Sequence, residues 1–147
     1  MFEIKTQIII NSPIGTVWSC LMETEKYSVW NKFIHKVDGR FSENERVKIE
    51  MILPSGEIMQ FSPVCTKVIK NSELRWVGNI GFDWIFKGEH YFILEPTEGN
   101  KTRLTHAEKF TGILCWLFKR WKADLTKQGF EIMNANLSDY INSTQQL

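Results

Sequence analysis

The alternation of apolar and polar positions changes period along the chain, and each change marks an element. Phe2 and Ile4 alternate with Glu3 and Lys5 before the run Ile8-Ile9-Ile10. That pattern predicts a first strand over residues 2 to 10 with its far end buried on both sides. Asn11-Ser12-Pro13 stops the strand and starts a helix: Ser12 is placed to cap free N–H groups, and Pro13 suits the first helical position, where its missing donor costs nothing. Ile14, Val17, Trp18, Leu21 and Met22 then recur at spacings of three and four, giving one buried helical face, and a second short helix is expected from Thr24 to Val29.

From Trp30-Asn31-Lys32-Phe33 onward the texture turns to strands. Ile34 and Val37 lead to Gly39, and residues 40 to 53 and 57 to 70 alternate as a hairpin about Pro54-Ser55-Gly56. Pro63 argues for an edge or a bulge in the second arm. Residues 74 to 110 read as three more strands, with reversals before Leu74 and at Pro96 to Asn100. About seven strands joined mostly by short turns imply a largely antiparallel meander. After Thr111-Gly112 the repeat moves to near 3.6. Leu114, Phe118, Trp121, Leu125, Met133, Leu137, Tyr140 and Ile141 predict one long amphipathic helix from Ile113 to about Ile141. Gly129 sits close to its apolar stripe, where a bend or room for something beneath would explain it. The polar tail from Ser143 to Leu147 is expected to fray.

Composition narrows what this α+β order can do. At 147 residues the chain fits a single domain, residues 1 to 147, able to bury about 70% of its unfolded surface. A net charge of +1 disfavours a polyanionic partner, so no nucleic acid is expected. Aromatics at 13%, with six Trp, suit a thick core or an apolar ligand site. Cys20, Cys65 and Cys115 are scattered, with no CxxC and no Cys/His cluster at metal spacing; free thiols in a reducing compartment, no metal and no cofactor are expected. The first residues lack a basic stretch followed by a long apolar one, which predicts a cytoplasmic protein without stable membrane insertion. The run Leu114 to Lys122 joins a wide apolar arc to a basic edge that could touch a membrane surface, but a helix buried under the sheet with lysines in water accounts for it better, because the fold already requires the apolar arc.

One strand, two short helices, six meandering strands and a long C-terminal helix is the helix-grip order. The chain resembles the START-like (Bet v 1-like, SRPBCC) superfamily, which includes the polyketide cyclase/dehydrase proteins, and looks most like its small bacterial members. The matching pieces are NSPIGTVWSCL, WNKFI, ELRWVGNIG, FKGEHYFILEP and TRLTHAEKFTGIL, in that order. The resemblance implies a curved sheet gripping the last helix, with a cavity between them used for lipids, aromatic polyketides or other hydrophobic small molecules. It also extends to a branch that activates chaperones through protein contact.

Because strand side chains alternate sides, one face of the last two strands collects Trp84, Phe86, His90, Phe92, Leu104, His106, Glu108 and Phe110. If the reversal lies within residues 95 to 101, cross-strand partners sum to about 196 to 198, and His90 faces His106 or Glu108. These three polar groups can serve as general acid and base, anchor a ligand's polar end, or satisfy one another in a quiet core. Trp30, Phe33, Trp76 and Met133 are further candidates for the pocket wall, as are Trp116 and Phe130; Met51 and Met59 are similar. Three functions stay open at this point: binding of a hydrophobic small molecule, a cyclase/dehydratase-type proton transfer by His90, His106 or Glu108, and a chaperone-activator-like interaction.

Overall fold

The structure, a computed structural model, describes residues 1–145. Strand β1 (Phe2–Ile10) is followed by α1 (Ile14–Met22), a 3-10 turn (Thr24–Lys26) and α2 (Tyr27–Trp30). Seven strands come next: β2 (Ile34–Asp38), β3 (Lys48–Ile52), β4 (Ile58–Phe61), β5 (Val64–Ile69), β6 (Glu73–Ile80), β7 (Phe86–Thr97) and β8 (Lys101–Thr111). Helices α3 (Cys115–Trp121) and α4 (Ala123–Gln145) close the chain. The strands form a five-stranded sheet in the order β1-β8-β7-β6-β5 and a three-stranded sheet β2-β3-β4, all pairs antiparallel. Phe130, Met133, Leu137 and Ile141 of α4 are fully buried among Phe92, Leu104 and Ile10 of the larger sheet and Phe33 and Ile34 at the start of the smaller. This is the helix-grip arrangement.

The expected hairpin of residues 40 to 53 with 57 to 70 divides at Ser62-Pro63. Proline has no N–H to donate, so the β3–β4 ladder stops at Ile49 and Phe61. The chain then crosses into the larger sheet as β5, paired with β6. Residues 40 to 47 form a loop stitched to this crossing by Val47 N–H donating to the Pro63 carbonyl at 3.1 Å and Cys65 N–H to that of Glu45 at 2.8 Å. Eight strands, not seven, follow among the described residues. At α1 the N-cap is Pro13, with no side-chain cap, and Ser12 plays another part: its hydroxyl accepts from Gln145 Nε2 at 2.6 Å. Residues 143 to 145, where fraying was expected, are helical; residues 146 and 147 of the predicted tail lie outside the described residues.

The predicted single long helix breaks at Lys122, whose backbone (φ −125°, ψ −15°) leaves the helical region. Gly129 is not the bend. A Cβ there would collide with the Phe33 ring, so the glycine lets β2's leading edge press against α4. The break also changes what α3 buries. Trp116, Leu117 and Trp121 face outward, so only part of the apolar arc expected under the sheet is used. No helix among the described residues is long and apolar enough to cross a membrane.

Candidate functional site

Strands β7 and β8 pair with partner numbers summing to 198, which sets His90 opposite Glu108, Phe92 opposite His106 and Gly88 opposite Phe110. Residues two apart share a face, so both histidines and Glu108 point toward α4. His90 Nε2 lies 2.8 Å from His106 Nε2, and His90 Nδ1 lies 3.4 Å from Glu108 Oε2. At the other end, His106 Nδ1 is 2.9 Å from Asn134 Oδ1, Asn134 Nδ2 donates to Thr6 Oγ1 at 2.9 Å, and Thr6 donates to the His106 carbonyl at 2.9 Å. Aromatic rings cover the pair: Trp76 stacks on His90 with centroids 4.4 Å apart, and Phe130 on His106 at 4.1 Å.

Enclosure sets the charge state of these groups. Burial pushes His90 down to about 3. His106 falls well below the ordinary histidine value, first through burial and then through the neighbouring His90, against which hydrogen bonds to Asn134 and the Phe130 carbonyl pull upward. Burial pushes the Glu108 carboxyl up to about 8. Its side chain keeps 17% exposure, and it borders an apolar hollow. All three groups are therefore held neutral near pH 7.

The hollow is a cavity of about 160 Å³ between the two sheets and the α3–α4 corner. Trp76, Phe86, Phe110 and Phe118 supply aromatic walls, Met51 and Met59 line the smaller sheet's side, and Thr126 faces in from α4. Glu108 is its one ionisable lining residue among the described residues. Gly88 explains how the carboxyl fits: a Cβ there would stand 2.5 Å from Glu108 Oε1, so the oxygen occupies the space of a missing side chain. A larger cleft of about 1090 Å³ lies between α1 and β2, open to solvent and bordered by charged groups such as Glu23, Asp38 and Arg40. It meets none of the polar groups above.

The structure divides the predicted wall residues into groups. Trp76, Phe86, Glu108 and Phe110 border the cavity. His90, His106 and Phe92 stand behind it, packed together without reaching the hollow. Trp30, Phe33 and Met133 are plain core: Trp30 stacks on Tyr140, and Phe33 meets Phe130 edge-on. Trp84 is not on the wall. It belongs to the turn before β7, lies 62% exposed and stacks on Phe82, because the β7 ladder starts only at Phe86. Trp116 is likewise exposed.

Sequence reasoning missed Asn134, Gly88 and Thr126. Asn134 was visible as a polar residue on the buried stripe of Phe130, Leu137 and Ile141, and Gly88 as a glycine inside a strand, where close approach is a common cause. Among the described residues no three His, Cys, Asp or Glu side chains are placed to hold a metal ion.

No family model matches the chain, and no curated protein matches it in sequence. Solved structures do match in shape. A Mesorhizobium loti protein, MLL2253, superposes with a TM-score of 0.75 at 16% identity, covering 97% of this chain and 98% of its own. Protein NE0264 of Nitrosomonas europaea gives 0.76 at 15%, covering 99% and 97%. DynU16, a putative protein in the dynemicin biosynthetic locus, gives 0.70 at 13%, covering 97% of this chain and 48% of its own. This chain has their fold. At such identities fold is all that the likeness carries, so the chemistry rests on the geometry of Glu108 and the cavity.

Proposed function

We propose that this chain is a cytoplasmic START-like protein that binds a small hydrophobic molecule between its sheets and the α3–α4 corner. One observation carries the reading: an aromatic cavity that ends on a single neutral carboxyl. Pockets for drug-sized ligands run about 300–1,000 Å³, whereas an apolar hollow of about 150 Å³ accepts benzene. At about 160 Å³ the cavity matches one aromatic ring or a short acyl chain and is too small for a sterol or a two-chain lipid. Titration with toluene and hexanoate esters, followed by NMR shifts of groups around Trp76 and Phe118, tests it. Saturable shifts confined to these walls are expected. Absence of binding at millimolar ligand, with no small molecule retained on purification by mass spectrometry, would exclude the reading.

A second reading follows from the value of about 8 at Glu108, which suits an acid that gives up its proton near neutral pH. In that case Glu108 is the group that touches substrate. His90 and His106, behind the wall and held as weak bases, position it and do not reach the reacting atoms. Turnover of a candidate keto compound that survives in Glu108→Gln would exclude this reading.

A further inference from the structure

The hydrogen bonds behind the cavity form one series whose proton positions can be assigned from its far end. The His106 carbonyl can only accept, so Thr6 gives it its hydroxyl proton. Thr6 Oγ1 must then accept from Asn134, which turns the amide NH₂ to Thr6 and the amide oxygen to His106 Nδ1. Nδ1 therefore carries the His106 proton, and in a neutral ring Nε2 is left as a lone pair. His90 Nε2, 2.8 Å away, must supply the proton between the rings, so His90 Nδ1 is also a lone pair. That lone pair faces Glu108 Oε2 at 3.4 Å. At 3.4 Å this contact is longer than an ordinary hydrogen bond, but the lone pair is the polar group that faces the carboxyl. A neutral Glu108 carboxyl therefore turns its proton on Oε2 toward His90, which leaves Oε1, in the space over Gly88, as an acceptor.

We propose that the cavity selects a single-ring apolar ligand bearing one hydroxyl, a phenol, whose O–H is donated to Glu108 Oε1 while the Glu108 proton stays seated against His90 Nδ1. This rests on the small-molecule reading above and adds the polarity of the ligand. The titratable group facing the carboxyl is His90 of β7; the cavity adds the uncharged Gln60, Asn79 and Thr126 from β4, β6 and α4, and β1 sets Ile4 across from Glu108.

Phenol and toluene, equal in size, are titrated at pH 6.5 into the wild type, Glu108→Gln and Glu108→Leu. A glutamine can do both jobs of the neutral acid, donating to His90 and accepting from phenol. The expected pattern is a loss of phenol affinity under about threefold for Glu108→Gln and of about tenfold or more for Glu108→Leu, with toluene affinity unchanged or improved in both. Equal large losses in the two variants would mean that a carboxylate charge holds the ligand and would overturn the inference. Toluene bound while phenol ignores position 108 overturns it too and leaves the small-molecule reading standing; neither compound bound to wild type sinks both. Should Glu108→Leu not fold, ¹⁵N NMR of the wild type decides: His106 protonated on Nδ1 and His90 on Nε2 is required, and the opposite tautomer in either ring overturns the assignment.

A separate observation carries a second inference. The β6–β7 turn and α3 are stitched together by Ile113 N–H to the Trp84 carbonyl and Leu114 N–H to that of Ile85, each at 3.0 Å. On these two joined elements Phe82, Trp84, Trp116 and Trp121 are 68%, 62%, 57% and 67% exposed. Lys119 and Arg120 of α3 are exposed as well, Asp83 between the two turn aromatics is paired with Lys87, and Ile80 and Phe118 line the neighbouring cavity. We infer that this face docks on an anionic bilayer surface. Tryptophan favours the membrane–water boundary, and exposed cations beside apolar side chains complement acidic headgroups. Co-sedimentation with phosphatidylcholine vesicles containing about 30% phosphatidylglycerol is expected to be salt-sensitive, and to fall about tenfold or more in Trp84→Ser/Trp121→Ser. No binding to these vesicles overturns the inference, as does wild-type self-association that the same double variant abolishes.

Discussion

Gly88 has no side chain, and the Glu108 carboxyl uses the room. In Gly88→Ala the new methyl would stand 2.5 Å from Oε1, so the carboxyl must leave its place beside His90 or the strands must part. The expected result is a loss of ligand affinity of about tenfold or more, with a folded far-ultraviolet spectrum, measured by titration alongside circular dichroism. Unchanged affinity would mean that the oxygen's position does not matter. At this scale the sequence was half legible. Alternation along β7 and β8 was enough to bring His90, His106 and Glu108 to one face. It could not show that Glu108 alone reaches the cavity while both rings stand behind it, because that depends on which neighbours, Trp76 and Phe130 among them, cover each ring.

Between elements, the contact of Phe33 with α4 decides how close the smaller sheet's leading edge comes to the helix. Gly129→Ala favours the helix by up to about 1 kcal/mol but forces a methyl into the Phe33 ring, an overpacking cost of about 1–3 kcal/mol. A net destabilisation of about 1–2 kcal/mol is expected in urea unfolding, largely relieved by adding Phe33→Leu. A stabilised Gly129→Ala would show that the helix can shift. Element boundaries were legible to within a residue or two where the signal is local, as in the reversal expected at Pro96 to Asn100 and found between Thr97 and Lys101, or the start of α1. They were lost where two elements share one apolar period. Residues 113 to 141 keep a repeat near 3.6 across Lys122, so nothing in the periodicity marks the turn between α3 and α4. Pro63 announced an interruption, but only the pairing partners reveal that the chain changes sheets there.

The whole molecule carries a pH signature from the same buried groups. Glu108, with an ordinary value of 4.5, holds its proton to about 8 in the folded chain, so between pH 6.5 and 8 the folded state binds more protons than the unfolded and stability falls as pH rises. His90, ordinarily 6.5, resists protonation to about 3, and His106 shifts the same way, so their contribution is present above 6.5 and is lost as pH falls through about 3. Urea midpoints of wild type and Glu108→Gln compared from pH 6.5 to 8 should converge at the acid end and separate in favour of the variant toward the alkaline end. Parallel curves would place the Glu108 proton elsewhere. The order of elements made the fold readable at this scale, whereas cavity size was not readable. Aromatic richness is the same for an empty pocket and a filled one, and residues expected to line a hollow, such as Phe33 and Met133, fill it instead.

The break at Lys122 divides the end of the chain into unequal cooperative units. Helix α3 has Cys115 as its buried residue and half-buried Phe118, whereas α4 buries seven residues along its length. Little burial leaves little resistance to local opening. Amide hydrogens of residues 117 to 121 should therefore exchange well before those of residues 129 to 141, and should slow selectively when a ligand lies against Phe118. Equal exchange across Lys122 would show one unit. If the difference holds, the cavity has a wall that can open by itself while the rest of the grip stays shut, and the rate of that opening limits how fast a ligand enters or leaves.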